Sequence, residues 1–396
     1  MDIVILANYT MDFAASDNGR FSYLANMLAE HGETVEIITS DFYHITKSRR
    51  STNLLNLPYK VTFLHEPGYS RNVCLKRFYS HFVWGRNVER YLAKRKKPDV
   101  IYCAVPSLSG PWRAAKFCED NQIRFVIDVQ DLWPEAFKMI VNIPIISDIL
   151  FSPFTMLANG IYKRADKICA VSETYVNRAL SVNKKCKSGT CVFLGTDLDD
   201  FDTNANNNKT EKSSGERLRL AYCGTLGSSY DLTCVIDALA ILKLQGKETP
   251  IFVVMGDGPE KERFARYARE KKVDTEFMGR LPYDQMCGVL VSCDIVVNPI
   301  SHGAAQSIIN KHADYAACGL PVLNTQECNE YRKLVKDYRM GYNCKNGNAE
   351  DLANKMYKLI NSEELRIQMG KNARRCAEEK FNRMNSYHEL IKVIIE

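Results

Sequence analysis

A chain of 396 residues is longer than one ordinary hydrophobic core organises, so two domains are expected. Hydrophobic residues make up 45% and charged residues 25%, an ordinary globular composition, and no run of about 18 uncharged apolar residues is present to cross a membrane. The net charge of +6 is modest and comes without any nucleic-acid recognition motif, so nucleic acid is not an expected partner.

The chain opens as a strand, Asp2–Leu6, and lacks the basic segment and small-residue cleavage site of a secretory signal. An amphipathic helix follows over Asn18–His31, with Phe21, Leu24, Ala25 and Leu28 on one face. Strands are expected at Glu33–Thr39, Val61–Leu64, Val100–Ala104, Phe125–Val129, Lys167–Val171 and Cys191–Leu194, with a helix at Ser109–Asn121. Between them, Arg71 to Lys97 carries nine basic residues against the single acid Glu89, interleaved with Phe78, Tyr79, Phe82, Val83 and Trp84. That pattern suits either a solvated helix face or a helix lying on an anionic membrane. Met139–Ile161 is apolar but interrupted by Pro144, Asp148 and Pro153, which makes it a poor spanning helix and a better buried or interfacial one.

Composition then shifts. Asp202–Glu216 is polar and reads as a linker. Alternation restarts with strands at Leu218–Cys223, Ile251–Met255, Asp294–Pro299 and Pro321–Asn324, and helices at Leu232–Leu244, Pro259–Lys271 and Ile308–Ala317. Two successive β–α alternations predict an α/β chain of two doubly wound halves, with ligands in a cleft at the carboxyl ends of the strands. Domain limits of 1–198, joined by a C-terminal helix at about 378–396, and 199–377 are expected.

The fourteen cysteines form no Cys-x-x-Cys pair, and several, such as Cys103, Cys169 and Cys223, sit in apolar runs. This is no zinc or redox pattern; it fits a reducing, cytoplasmic compartment.

Four loops carry candidate chemistry. Gly19 ends the first strand-to-helix turn, where backbone amides and a helix start can meet a diphosphate. No G-x-G-x-x-G is present, which disfavours a nicotinamide cofactor. Tyr222-Cys-Gly-Thr-Leu-Gly-Ser-Ser-Tyr-Asp231 repeats the strand–glycine–helix pattern and nominates Gly224 and Thr225; Phe277-Met-Gly-Arg-Leu-Pro282 nominates Arg280. In Asn298 to Asn324 a Gly/Ser loop leads into a helix expected to start near Ser307, with Lys311 one turn in and Asp314 its i+3 neighbour. There, Ser307 amides and Lys311 would hold a diphosphate, and Asp314 would take ribose hydroxyls. Asp197 and Asp199 imitate a metal-binding D-x-D and Asp128/Asp131 miss it by one residue, but no catalytic metal is expected. His302 is a loop histidine within reach of a donor sugar in this reading.

Asp131-Leu-Trp-Pro-Glu135, Gly224-Thr-Leu-Gly227 with Asp231-Leu232, Gly256-Asp-Gly258, Asn310-Lys311 with Asp314-Tyr315, and Ala317-Cys-Gly-Leu-Pro-Val322 occur in order along the chain. On these residues the chain resembles the GT-B glycosyltransferases of glycosyltransferase family 4, and within them the bacterial O-antigen and capsule transferases of the L-fucosamine type. The resemblance implies two facing Rossmann-like domains with an interdomain cleft, a nucleotide-sugar (UDP-sugar) donor in the second domain and an acceptor in the first. It also implies metal-independent retaining chemistry and a polyprenyl-diphosphate-linked acceptor at the inner face of the plasma membrane. The family's motif of two glutamates separated by seven residues falls on Gln306 and Asp314, neither a glutamate. Thr225 and Ser228-Ser229-Tyr230 replace the basic pair that many members carry, which shifts phosphate binding to Lys311 and backbone amides. Asp131, at the end of a strand, is the candidate to orient or deprotonate the acceptor, or else caps the next helix, with Trp133 and Pro134 shaping its pocket or packing the turn. A sugar-nucleotide epimerase of similar fold and a non-catalytic partner subunit are the competing readings; the first lacks paired acid/base residues, and Gln306 lends weight to the second.

Overall fold

The computed structural model describes residues 1–13, 19–51, 54, 56–72, 74–138, 146–209, 216–304 and 307–396. The chain divides into two compact units, Met1–Phe193 with Ser386–Glu396, and Leu194–Asn385.

The first unit runs β1 (Asp2–Leu6), α1 (Arg20–Glu30), β2 (Thr34–Ser40), β3 (Phe42–Tyr43), β4 (Ser48–Arg49), β5 (Lys60–Leu64), α2 (Leu75–Lys94) and β6 (Val100–Val105). It continues with α3 (Ser109–Asn121), β7 (Arg124–Val129), α4 (Glu135–Lys138), α5 (Ile146–Arg164), β8 (Lys167–Ala170), α6 (Glu173–Leu180) and β9 (Thr190–Cys191). Among the described residues its main sheet is seven-stranded in the order β5-β2-β1-β6-β7-β8-β9, and the pairings are parallel. A strand buried on both faces has no polar side, which is why β1 and β6 read as unbroken apolar runs rather than alternating ones. Ile3 stands opposite Val35 on one side and Val100 on the other.

The second unit holds α7 (Leu198–Asn208), β10 (Arg219–Cys223), α8 (Leu232–Leu244), β11 (Ile251–Met255), α9 (Lys261–Glu270), β12 (Thr275–Gly279), α10 (Tyr283–Val291) and β13 (Ile295–Asn298). Then come α11 (Lys311–Ala317), β14 (Val322–Asn324), α12 (Asn329–Tyr338), β15 (Gly341–Asn343), α13 (Ala349–Ile360), α14 (Glu363–Cys376) and a π-helical turn at Ala377–Phe381. Its six described strands form one parallel sheet, β12-β11-β10-β13-β14-β15. The last helix, α15 (Arg383–Ile395), sends Tyr387, Leu390, Ile391 and Ile394 into the core of the first unit beside Phe21, Leu24 and Leu28 of α1.

Three sequence expectations change. The polar stretch taken for a linker is helical as far as Asn208. Asp197 caps that helix by accepting from the Asp200 amide at 3.0 Å, and Leu198, Phe201 and Ala205 bury one face of it. Its neighbour α10 comes so close that a Cβ on Gly288 would lie 2.1 Å from the Asn208 carbonyl. Residues 210–215 lie outside the described residues. The helix expected to begin near Ser307 begins at Lys311 and is seven residues long. Residues 307–310 form a turn ahead of it, in which the Ile309 amide donates to His312 Nδ1 at 3.2 Å. Met139–Ile161 contributes α5 from Ile146, with Pro153 inside it; residues 139–145 lie outside the described residues.

Candidate active site

In the second unit, β10 ends at Cys223 and the chain turns through Gly224 at φ +143°, a conformation closed to residues with a side chain. A Cβ there would lie 2.8 Å from Lys311 Nζ and 3.2 Å from Tyr222 Oη. Gly256, which follows β11, approaches from the other side: a Cβ on it would fall 1.8 Å from the Gly224 carbonyl. The glycines therefore bring a strand end, a lysine and two loops to one point.

Lys311 is 8% exposed. Its Nζ lies 4.2 Å from the Tyr222 ring centroid and 4.1 Å from that of Tyr230, and finds no hydrogen-bond partner among the described residues. Burial pulls its pKa down from 10.5 to about 7. Two ring faces offset part of the lost hydration of an ammonium, but they are not counter-ions. An incoming anion would restore the charge.

Tyr230 owes its place to two anchors: the Asp231 amide donates to the Pro299 carbonyl at 2.8 Å, and the Ser301 amide to the Ser229 carbonyl at 3.0 Å. The turn before Lys311 is fixed from the sheet. Asn298, Asn324 and Asn343 stand in register on β13, β14 and β15. Gln326 Nε2 donates to the Ser307 carbonyl at 2.8 Å, Asn298 meets His312 Nε2 at 3.0 Å, and the His312 ring stacks on Tyr331 with centroids 3.4 Å apart. Ser307 is thus brought to the turn by its carbonyl.

Asp314 accepts from Tyr283 Oη at 3.0 Å, and that hydroxyl contacts Thr196 Oγ1 at 2.9 Å. Burial raises its pKa to about 6, against the opposing pull of Tyr283 and Arg383. Lys311 and Asp314 both act electrostatically on the Cys223 thiol at the end of β10, the first lowering its pKa and the second raising it. Thr225 is exposed and its carbonyl accepts from Tyr222 Oη at 2.7 Å; Arg280 is exposed after β12. His302 is exposed and pairs with Glu327 at 2.9 Å. Gln306 lies outside the described residues.

In the first unit, Asp131 follows β7. It accepts from its neighbour Leu132 amide at 2.9 Å, from Trp133 Nε1 at 3.2 Å and from Tyr175 Oη at 3.4 Å, and burial raises its pKa. Gly19 precedes α1 with ordinary extended φ and packs against Met11. Asp128 is taken up by a buried two-point ion pair with Arg20, at 2.8 and 3.1 Å, and Asp197 by its capping bond.

Sequence reasoning missed a cluster around Asp131, because its members come from the ends of several strands. Tyr9 follows β1, His44 follows β3, Glu66 and Tyr69 follow β5, and Arg77 and His81 lie on α2. Arg77 stacks on Trp133 at 4.7 Å, on Tyr69 at 5.5 Å and on Tyr9 at 5.8 Å, and donates to Tyr9 Oη at 2.9 Å. Burial holds His44 at about 4 and His81 at about 3, so both are neutral at pH 7. Only the density of aromatic and basic residues in α2 signalled this cluster.

Against known proteins, residues 203–376 match the family Glycosyl transferases group 1. The chain is 23% identical over 234 residues to the uncharacterized glycosyltransferase MJ1069 of Methanocaldococcus jannaschii, a match spanning 59% of each chain. Among solved structures it is similar to Anabaena HepE in complex with UDP-glucose, at TM-score 0.69 and 15% identity over 99% of this chain and 98% of that one. It is likewise similar to WaaG, a glycosyltransferase involved in lipopolysaccharide biosynthesis, at TM-score 0.67 and 15% identity over 99% of both chains. The chain therefore has the GT-B fold, and its likeness to the group 1 glycosyl transferases is a match over residues 203–376.

Proposed function

We propose that the chain is a retaining glycosyltransferase that moves a sugar from a UDP-sugar to a lipid-linked glycan acceptor in surface polysaccharide (O-antigen or capsule) biosynthesis, at the inner face of the plasma membrane. The observation that carries it is Lys311: a buried amino group with no hydrogen-bond partner among the described residues, beside the carboxyl end of a central strand, in a segment that matches the group 1 glycosyl transferases. HepE, of the same fold, binds UDP-glucose.

In this reading Lys311 and the amides around Gly224 hold the diphosphate, with Asp314 on the ribose and Ser307, Thr225, Arg280 and Gln306 completing the donor contacts. The bond between the anomeric carbon and the β-phosphate oxygen breaks, and the leaving electron pair stays on a phosphate neutralised by Lys311. The acceptor oxygen bonds to the same face of that carbon, and its proton passes to the departing phosphate. Asp131 orients the acceptor hydroxyl. No metal is called on, since Lys311 supplies the positive charge.

The test is a calorimetric screen of UDP-, GDP- and CMP-sugars followed by product analysis with extracted lipid acceptors. Binding of a UDP-sugar that Lys311→Ala abolishes, together with a glycosylated product, supports the reading. A donor that is epimerised without acceptor, or UDP-sugar binding untouched by the substitution, overturns it.

A further inference from the structure

Lys311 is walled in. Its Nζ is buried between the rings of Tyr222 and Tyr230, whose centroids lie 4.2 and 4.1 Å away, and a Cβ on Gly224 would stand 2.8 Å from it. A phosphate oxygen bonded to an ammonium sits at about 2.8 Å, so one of these walls has to give way before a diphosphate reaches the nitrogen. Gly224 is not the one. Its amide is tied to the Met255 carbonyl at 2.9 Å, and Gly256 presses on its carbonyl from the other side.

The two rings are held differently. Tyr222 lies on β10, is fully buried in the core of the second unit, and donates from Oη to the Thr225 carbonyl at 2.7 Å. Moving it would open a void in that core and strand a hydroxyl. Tyr230 is only partly buried at the edge of the same core, and its hydroxyl has no hydrogen-bond partner among the described residues. What is pinned in Tyr230 is the backbone. Its amide donates to the Gly227 carbonyl at 3.1 Å, and the residue forms an isolated antiparallel bridge with Ile300. A fixed backbone under an untied ring leaves rotation about the side-chain bonds as the available motion. The preceding residues of the loop, Gly227, Ser228 and Ser229, are small.

We infer that Tyr230 is a gate on the donor-phosphate site: its ring covers Lys311 in the empty protein and swings aside when a diphosphate arrives, while Tyr222 stays as the fixed wall. This deepens the proposed function and rests on it for the identity of the ligand. The exchange is selective, because a cation–π contact is given up for a charge-assisted hydrogen bond, which an anion offers and a neutral ligand does not. Only the open form binds, so closure lowers both the apparent affinity and the association rate by the open fraction. Dissociation is left untouched, and that separates a gate from a residue that grips the ligand.

The natural tryptophans, Trp84, Trp112 and Trp133, all belong to the first unit, so Tyr230→Trp in the full chain adds a reporter at the gate, read as the difference from the parent. The probes are UDP and inorganic pyrophosphate, and both are expected to shift that emission to longer wavelength as the ring moves into water. Tyr230→Ala, with no ring to move, should bind a fluorescent UDP analogue with association rate and affinity both raised about tenfold and an unchanged dissociation rate. UDP binding without an emission change, or a folded Tyr230→Ala protein whose association is parent-like or slower, would overturn the gate and leave the transferase reading standing. Should Tyr230→Ala fail to fold, the emission of Tyr230→Trp still decides. Pyrophosphate binding with the emission shift, but no binding of UDP, would keep the gate and overturn the donor reading. Neither probe bound by the parent or by Tyr230→Ala would overturn both.

Discussion

If Lys311 holds the diphosphate as proposed, UDP binding is expected to be a proton-uptake reaction. With a pKa of about 7, roughly one tenth of the unliganded protein carries the ammonium at pH 8. A diphosphate on Nζ restores the ordinary lysine range, so binding should take up about 0.9 proton at pH 8 and about 0.1 at pH 6. The same burial works against the empty fold. Because the folded pKa is depressed, the unfolded chain binds more protons between about pH 7 and 10.5, and the stability of the unliganded protein should rise with pH across that window. At pH 7 a lysine pKa held at about 7 costs the empty fold at most ~5 kcal/mol, so Lys311→Met should stabilise the empty protein by a few kcal/mol while abolishing UDP binding. Calorimetry of UDP binding at pH 8 in two buffers of different ionisation enthalpy counts the protons directly. No uptake at pH 8, or a Lys311→Met protein that is less stable and still binds UDP, would refute the reasoning.

Asp314 works in the opposite direction: its pKa is raised to about 6, so stability contributed by the protonated form fades as pH rises from about 4 to 6, and Asp314→Asn should flatten the melting-temperature profile over that range. Asp131→Asn should lower kcat by ~10²-fold through misplacement of the acceptor, with UDP affinity unchanged, as checked by steady-state kinetics against direct binding. Arg20→Ala strands Asp128, fully buried in the first unit, and should cost ~3–5 kcal/mol in urea denaturation. Gly256→Ala drives a methyl into the Gly224 carbonyl and should cost ~3 kcal/mol or more along with UDP affinity, read by melting and titration.

The parallel sheets were legible in the sequence because strands buried on both faces are apolar throughout, as in Ile3–Leu6 and Phe252–Met255. Lys311, Asp314, Gly224 and Asp131 were legible because each lies in a local strand-to-helix pattern. What stayed hidden was long-range. Tyr9, Tyr69, Arg77 and His81 are up to 72 residues apart and meet only because parallel strands deliver their ends to one edge of the sheet. The tyrosines flanking Lys311 were part of a motif noted for its glycines, and nothing local says that a ring faces an ammonium. The α7 segment was misread because its polar residues outnumber the three buried ones; the cap at Asp197 was the better signal.

Because Tyr387 to Ile394 complete the core around α1, the first unit leaves the ribosome before the residues that finish it, with the whole second unit made in between. Until those residues emerge, the apolar surface that awaits them stays wet, so the nascent protein presents a sticky amino-terminal half throughout translation of the other. A fragment ending at residue 193 should be poorly soluble, and supplying residues 383–396 as a peptide should rescue it.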